Sequence, residues 1–405
     1  MKQHITELLK AHGQEQLLSY IDGADERLCG EFLRSLESLD WETVSMWRHP
    51  EDLSGKGKIE PLPTLTVQEI EQESARYAEV GKRAIQEGKV GAVLLAGGQG
   101  TRLGSSAPKG MYDIGITRPL YIFECLINNL LEVCRDCGAF VPLFIMTSEK
   151  NDFETRAFLS EHRYFGYPEE YVRFFTQDMA PCVDFEGNLF LEGPCKLALS
   201  PNGNGGWYTS LVKAGVAKDF PAIEWYNVFA VDNVLQRIAD PIFVGATILS
   251  GMNCGAKGVR KAYPEERVGV LCLENGLPNV IEYYEMDEET LNLRDANGEL
   301  VYSFGVTLNY LLRAEKLVEV AEKRIPVHVV KKKIPYLNAD GQLVTPEREN
   351  GYKFEMLILD LVRLMESCLP FEIVREREFA PIKNKTGIDS VDTARALLEK
   401  NGVKL

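Results

Sequence analysis

The residues with the most chemical potential lie at 94–115, LLAGGQGTRLGSSAPKGMYDIG. The apolar run GAVLLA leads without a break into Gly97, Gly98, Gln99, Gly100 and Thr101, and Arg102 and Lys109 follow in the same stretch. Glycine lets the backbone approach a ligand closely, and successive N–H groups in such a loop can point at an anion. Two cations beside that nest add charge suited to phosphate. At the carboxyl end of a parallel strand, such a loop sits where open α/β sheets bind ligands. Spacing excludes two common phosphate loops: no G-x-x-x-x-G-K-[ST] occurs here, and Leu103 stands where G-x-G-x-x-G needs its third glycine. A nicotinamide-linked oxidoreductase is disfavoured on that ground and because no catalytic base stands out. A glycine-rich turn with two solvated cations is the alternative. The strand upstream and Pro108-Lys109 downstream weigh against it.

Other candidates are more dispersed. The apolar run WYNVFAV ends at Asp232 and Asn233. A carboxylate at the end of a core strand is costly to desolvate unless it is paired or holds a metal. A second glycine-rich loop, PNGNGGWY at 201–208, contains Gly203 and Asn204 and opens a helix. Taken alone it reads equally as a turn, and Trp207 and Tyr208 read as packing. The five histidines show no metal spacing. The one C-x-x-C pair, Cys134 and Cys137, has no second pair or close histidine to complete a zinc site. It reads as two ordinary thiols one helical turn apart. The run Lys331, Lys332 and Lys333 reads as solvated or structural.

These groups need a scaffold, and the pattern of the chain supplies one. Residues 1–50 read as short amphipathic helices, with Ile5, Leu8 and Leu9 and then Leu17 and Leu18 at helical spacing. A Gly/Pro/Ser-rich connection covers 50–65. A helix follows from Val67 to Glu87 with Thr66 as its N-cap. A strand starts at Val90, then come a helix near 119–136, the strand FVPLFIMT at 140–147, a helix near 151–163 and a strand from Val172. A helix after Gly206 and the strand WYNVFAVDN at 225–233 continue the alternation. Such alternation marks βαβ units. Short strands broken by turns at 254–310 extend the sheet, and 311–405 mixes helices and strands. The expected fold is α/β: a Rossmann-like mixed, mainly parallel central sheet flanked by helices, with helical N-terminal and small C-terminal pieces. The expected divisions are an N-terminal helical region at 1–89, a catalytic core at 90–320 and a C-terminal α/β region at 321–405.

Composition narrows the partners. At 405 residues a soft prior is roughly two to three domains. The formal net charge of −15 argues against a nonspecific nucleic-acid binder and against docking on anionic lipid. No apolar run approaches a bilayer span, and the first residues lack the apolar core of a signal peptide. The odd count of nine cysteines does not read as a secreted disulfide framework. A cytoplasmic protein acting on small molecules is the expectation.

The motifs LLAGGQGTRLG, PKGMYDIG, IMTSEKNDFETRAFLSEHRYFG, PNGNGGWY, VDN, IEYYE, KKIPYLNADGQL, NGYKFE and EFAPIKN run in an order that resembles the eukaryotic-type UDP-N-acetylhexosamine pyrophosphorylases. These are UTP-dependent sugar-1-phosphate uridylyltransferases of the nucleotide-diphospho-sugar transferase fold. The resemblance covers about residues 90–395. It implies that Leu95, Ala96, Gly97 and Gly98 contact uracil and ribose, and that Gln99, Gly100, Thr101 and Arg102 curl round the phosphates. Lys109 would neutralise the triphosphate near the leaving group. Gln177 would read the uracil edge, which suits an amide with both donor and acceptor. Gly203 would approach the uridine, and Asn204, Glu282 and Tyr283 would bind the sugar. Asp232 would hold Mg²⁺, and Lys353 and Lys383 would reach phosphates. The implied substrates are UTP and a hexose 1-phosphate, either N-acetylglucosamine 1-phosphate or glucose 1-phosphate. A catalytically silent nucleotide-sugar-binding protein on the same fold is the alternative. The chain departs from the family at Ser303, Phe304, Gly305 and Val306, where Asn-Ala-Gly-Asn is usual, and at Leu357 and Leu359, usually phenylalanine.

Overall fold

The computed structural model describes residues 2–23, 26–48, 57–323 and 325–405. By contact the chain forms two units. One comprises Met1–Gly55, Asp178–Gly206 and Ile325–Ile358; the other comprises Lys56–Gln177, Trp207–Arg324 and Leu359–Leu405. This grouping runs across the consecutive division at 89 and 320. Residues 56–89 join the strands that follow them, whereas 178–206 group with the chain's first residues. Contacts between residues distant in sequence set such units, and local patterning does not register them.

The second unit is built on a ten-stranded sheet. Its parallel centre has β1 (Val90–Leu95), β2 (Leu143–Thr147), β3 (Val172–Thr176) and β4 (Trp225–Ala230) in the order β4-β1-β2-β3. Every residue of β1 and β2 is buried. Strands covered on both faces read as unbroken apolar runs, as these do in the sequence. The run from Phe140 begins pairing only at Leu143, because Pro142 has no N–H to donate. The carbonyl of Pro142 still accepts from Ala92 at 2.8 Å. Beyond β4 the sheet turns mixed: β5 (Cys254–Arg260), β6 (Val270–Glu274) and β4 pair antiparallel with β7 (Phe304–Arg313), and β8 (Cys368–Glu372) runs parallel to β5. Residues 50–56 of the expected linker lie outside the described residues. Ile59–Glu60 past them is a short strand on the edge of this sheet.

Helix α1 (Val67–Gln86) starts where expected, at a capping box: the Thr66 hydroxyl accepts from the Glu69 N–H, and the Glu69 carboxylate accepts from the Thr66 N–H at 2.8 Å. Helix α2 (Ile122–Cys137) buries Phe123, Leu126, Ile127 and Leu130 in the main core. Cys134 and Cys137 lie buried on it, and burial pushes the Cys137 thiol up to about 11. Both are inert thiols, as their context in the sequence implies. Helices α3 (Trp207–Ala214) and α4 (Pro241–Ser250) complete the set used below. Among the described residues, no helix is long and apolar enough to cross a membrane.

The first unit packs the helices Lys2–Ala11 and Glu26–Glu37 beside a three-stranded sheet of Val183–Asp184, Gly351–Glu355 and His328–Lys332. Its core joins Ile5, Leu9, Phe32 and Leu36 to Val183, Leu197 and Phe354.

Candidate functional site

The four parallel strands end in register. Leu95 pairs with Ala230 on one side and with Met146 on the other, and Thr147 pairs with Thr176. Ala96, Ser148 and Gln177, which follow them directly, and Asp232, two residues past Ala230, therefore leave the sheet at its carboxyl end. Asn151, fully buried, ties two of these exits together: it donates to the Ala96 carbonyl at 2.9 Å and accepts from the Ser148 N–H at 2.7 Å.

The glycine-rich loop folds back on the Pro108-Lys109 segment. Gly100 N donates to Ala107 O at 3.0 Å, Lys109 N donates to Gly98 O at 3.1 Å, and Gln99 bridges Pro108. This pairing explains why a proline and a lysine follow the loop so soon. A Cβ on Gly97 would stand 3.0 Å from the Gln177 amide oxygen, whereas one on Gly98 would meet nothing within 4 Å. Gln177 thus lies against the first glycine, and the second opens into space.

Lys109 brings its ammonium to 4.0 Å from the Asp232 carboxylate, with both side chains largely buried. Burial pushes the Lys109 ammonium below the usual lysine range; Asp232 opposes that shift, and the like charges of Lys383 and Arg102 add to it. Three cations therefore converge beside one carboxylate. Lys383 arrives from the far end of the chain because the backbone of 380–382 is stitched to that of 232–234. Ile382 N donates to Asp232 O at 2.9 Å, Val234 N donates to Ala380 O at 3.3 Å, and Asn233 bridges Pro381. Lys383 itself pairs with Asp389 at 3.0 Å.

Glu282 follows the strand Leu277–Ile281. Burial raises its carboxyl above the usual range, Glu285 adds to the rise, and Lys383 opposes it. A Cβ on Gly269 would lie 3.5 Å from Val306 and 3.8 Å from Glu282, so these two side chains flank one glycine. The family departure at Val306 thus falls beside Glu282. Tyr283 stacks edge-on with Tyr284 and has the Arg267 guanidinium 5.9 Å from its ring centre.

Gly203, Asn204 and Lys353 belong to the first unit. There the loop packs on Met356–Ile358: Gly205 N donates to Met356 O at 2.8 Å, and the Asn204 side chain accepts from Ile358 N at 3.0 Å. Gly203 has φ +88°, and a Cβ there would collide with the Met356 backbone. Packing alone accounts for that glycine. Lys353 lies opposite Val330 in the strand pair. Lys331, Lys332 and Lys333 are exposed, as expected, and Trp207 is fully buried.

Sequence reasoning passed over the supports of this site. Asn233 is buried; its amide donates to Glu378 O at 2.8 Å and accepts from Ala380 N at 2.9 Å. Lys257 on β5 has no exposed surface and donates to Glu378 at 2.6 Å, Asp240 at 3.1 Å and the Arg237 carbonyl at 3.2 Å. Burial alone would push its ammonium down, but the two carboxylates outweigh burial and hold it above the usual lysine range. A lysine inside the strand CGAKGVR was the available signal.

A model of the UTP–glucose-1-phosphate uridylyltransferase (UDPGP) family matches residues 43–401. The chain belongs to this family. Among UDPGP relatives, the human UDP-N-acetylhexosamine pyrophosphorylase-like protein 1 is 38% identical over 366 residues, 86% of this chain and 72% of that protein. The Saccharomyces cerevisiae UDP-N-acetylglucosamine pyrophosphorylase is 36% identical over 85% of this chain and 76% of its own length. A Trypanosoma brucei uridine diphosphate N-acetylglucosamine pyrophosphorylase, solved with an inhibitor, superposes with a TM-score of 0.82 at 26% identity, over 98% of this chain and 84% of that one.

Proposed function

We propose that this chain transfers the uridylyl group of UTP to a hexose 1-phosphate and releases pyrophosphate. The observation that carries this reading is the convergence of Arg102, Lys109 and Lys383 beside Asp232, next to a glycine loop at the carboxyl edge of the sheet, in a UDPGP member. A sugar phosphate oxygen attacks the α-phosphorus in line and pyrophosphate leaves, so no protein nucleophile is required. The protein's work is to orient two phosphates that repel each other and to neutralise charge at the leaving group. Lys109 and Arg102 supply that charge beside the loop. Gln177 presents an amide to the uracil, and Glu282 accepts from sugar hydroxyls.

Among the described residues no group of three or more His, Cys, Asp or Glu side chains could cage a metal. A single carboxylate, Asp232, beside the phosphate loop fits Mg²⁺, which takes one or two protein carboxylates and fills its shell with phosphate oxygens and water. Asp232 would hold the ion, and the ion would supply positive charge to offset the phosphates.

The test is a panel of sugar 1-phosphates, N-acetylglucosamine 1-phosphate and glucose 1-phosphate among them, each incubated with UTP with and without Mg²⁺. Pyrophosphate is expected only when UTP, Mg²⁺ and an accepted sugar phosphate are all present. No release above background with any sugar phosphate would leave a silent binding protein as the better reading. The panel also reads which sugar the pocket around Val306 accepts.

A pH profile tests Lys109 separately. Its lowered ammonium loses a proton below 10.5, the value of an exposed lysine, so kcat/KM should fall on the alkaline side before that pH. Bound phosphates favour the charged form, so the alkaline limb of kcat should lie higher. In Lys109→Arg, which stays charged, that limb should disappear. A limb unmoved in this variant would assign the titration to another group.

A further inference from the structure

We propose that Asp389 is a positioning residue whose carboxylate holds the Lys383 ammonium at the phosphate site before substrate arrives. The inference rests on the uridylyl-transfer reading above and concerns a residue that reading does not use. Asp389 grips Lys383 twice. Its carboxylate lies 3.0 Å from Lys383 Nζ, and its carbonyl accepts from Lys383 N at 2.6 Å and from Asn384 N at 3.0 Å. The exposed residues between them close on themselves: the Asn384 side chain donates to Ile388 O at 3.0 Å, and Val391 N donates to Asn384 O at 3.2 Å. Asp389 adopts φ +51°, a left-handed conformation that Asp and Asn tolerate better than most residues. The backbone thus turns back so that one residue meets Lys383 with both its main chain and its side chain.

The need for a counter-ion follows from the charges nearby. Ile382 N donates to Asp232 O at 2.9 Å, so Lys383 leaves the backbone beside the carboxylate that Lys109 approaches at 4.0 Å, next to the loop that carries Arg102. A lysine on a flexible four-carbon stem, about a third exposed, would otherwise swing away from two like charges. Asp232 answers Lys109, and Asp389 answers Lys383. The pair is too exposed to matter much for stability, so its effect should appear in the reaction instead. An incoming phosphate replaces a carboxylate partner that is already in place.

The experiment is a double-mutant cycle on the full chain, reading pyrophosphate release with UTP, Mg²⁺ and the sugar phosphate the panel selects. Asp389→Asn suits the left-handed conformation and removes the charge. It should lower kcat/KM about tenfold with an unchanged melting temperature. In a Lys383→Ala background the same change should have no further effect. If Asp389→Asn does not fold, Asp389→Gly suits the positive φ and serves in its place. Wild-type rates in the single variant, or an equal loss in the Lys383→Ala background, would overturn the proposal. A wild-type chain silent with every sugar phosphate would remove the enzyme reading and this role with it. An active wild type with additive losses would remove only the role of Asp389.

Discussion

Lys109→Ala is expected to cut kcat roughly 100-fold, about 2.7 kcal/mol in the barrier, with little change in melting temperature. The lysine is held by the loop's own backbone pairing, through Lys109 N on Gly98 O, so its side chain is free to act on a ligand without serving as a strut. Its side chain is 16% exposed, in a site that also holds the charges of Arg102, Lys383 and the Asp232 carboxylate. Removing it leaves that carboxylate facing the developing charge of the leaving group with less to offset it. The loss should fall on kcat more than on KM, because charge builds on the leaving oxygen only in the transition state. Steady-state pyrophosphate release measures it. A kcat within about threefold of wild type would remove Lys109 from the phosphate site.

Lys257→Met is expected to destabilise the fold by about 3 kcal/mol or more. The apolar replacement fills the space on β5 but leaves Asp240 and the largely buried Glu378 without their shared cation. Asp240 has a second duty, capping α4 by accepting from Ile242 N at 3.2 Å, so it cannot simply turn away. Urea unfolding gives the magnitude, and its pH dependence gives the cause. Burial already raises the Glu378 carboxyl, and without Lys257 it holds its proton still more tightly in the folded chain than in the unfolded one. The folded state then binds more protons, and stability falls as pH rises. The variant should therefore be worst near neutrality and recover on acidification. A loss under about 1 kcal/mol, or a pH-independent one, would mean that the carboxylates are well solvated. Because the chain from Glu378 runs directly to Ala380 and Lys383, the same variant should also lose activity.

Much of the second unit was legible because its strands are short, doubly covered and therefore apolar without interruption, and because Thr66 and Glu69 form a cap from local chemistry alone. The glycine loop and its two cations were visible for the same reason: they lie within one stretch of chain. The family reading rested on motif order, and the match over 43–401 bears it out. What escaped was non-local. Lys257, Asp240 and Glu378 lie on separate stretches of sequence, and no periodicity links them. In the sequence Asn233 is only a neighbour of Asp232, whereas its amide joins two backbone segments. The grouping of 178–206 with later residues is not visible in the sequence either, because it shows in one short strand, Val183–Asp184, pairing with Gly351–Glu355. At Gly203 the resemblance implies a ligand contact, and the Met356 backbone gives it a packing reason that the sequence could not display.

The stitching of Ile382 to Asp232 sets a timetable for a chain made from its N-terminus. The parallel strands and the glycine loop have all emerged by the time Asp232 does. Lys383 and its counter-ion appear on the order of ten seconds later at ordinary elongation rates. During that interval a nascent chain has the nest and one carboxylate but not its full set of cations. Chains cut short before Lys383 should therefore lack turnover even where the central strands have formed, and chemistry begins only once Lys383 has emerged.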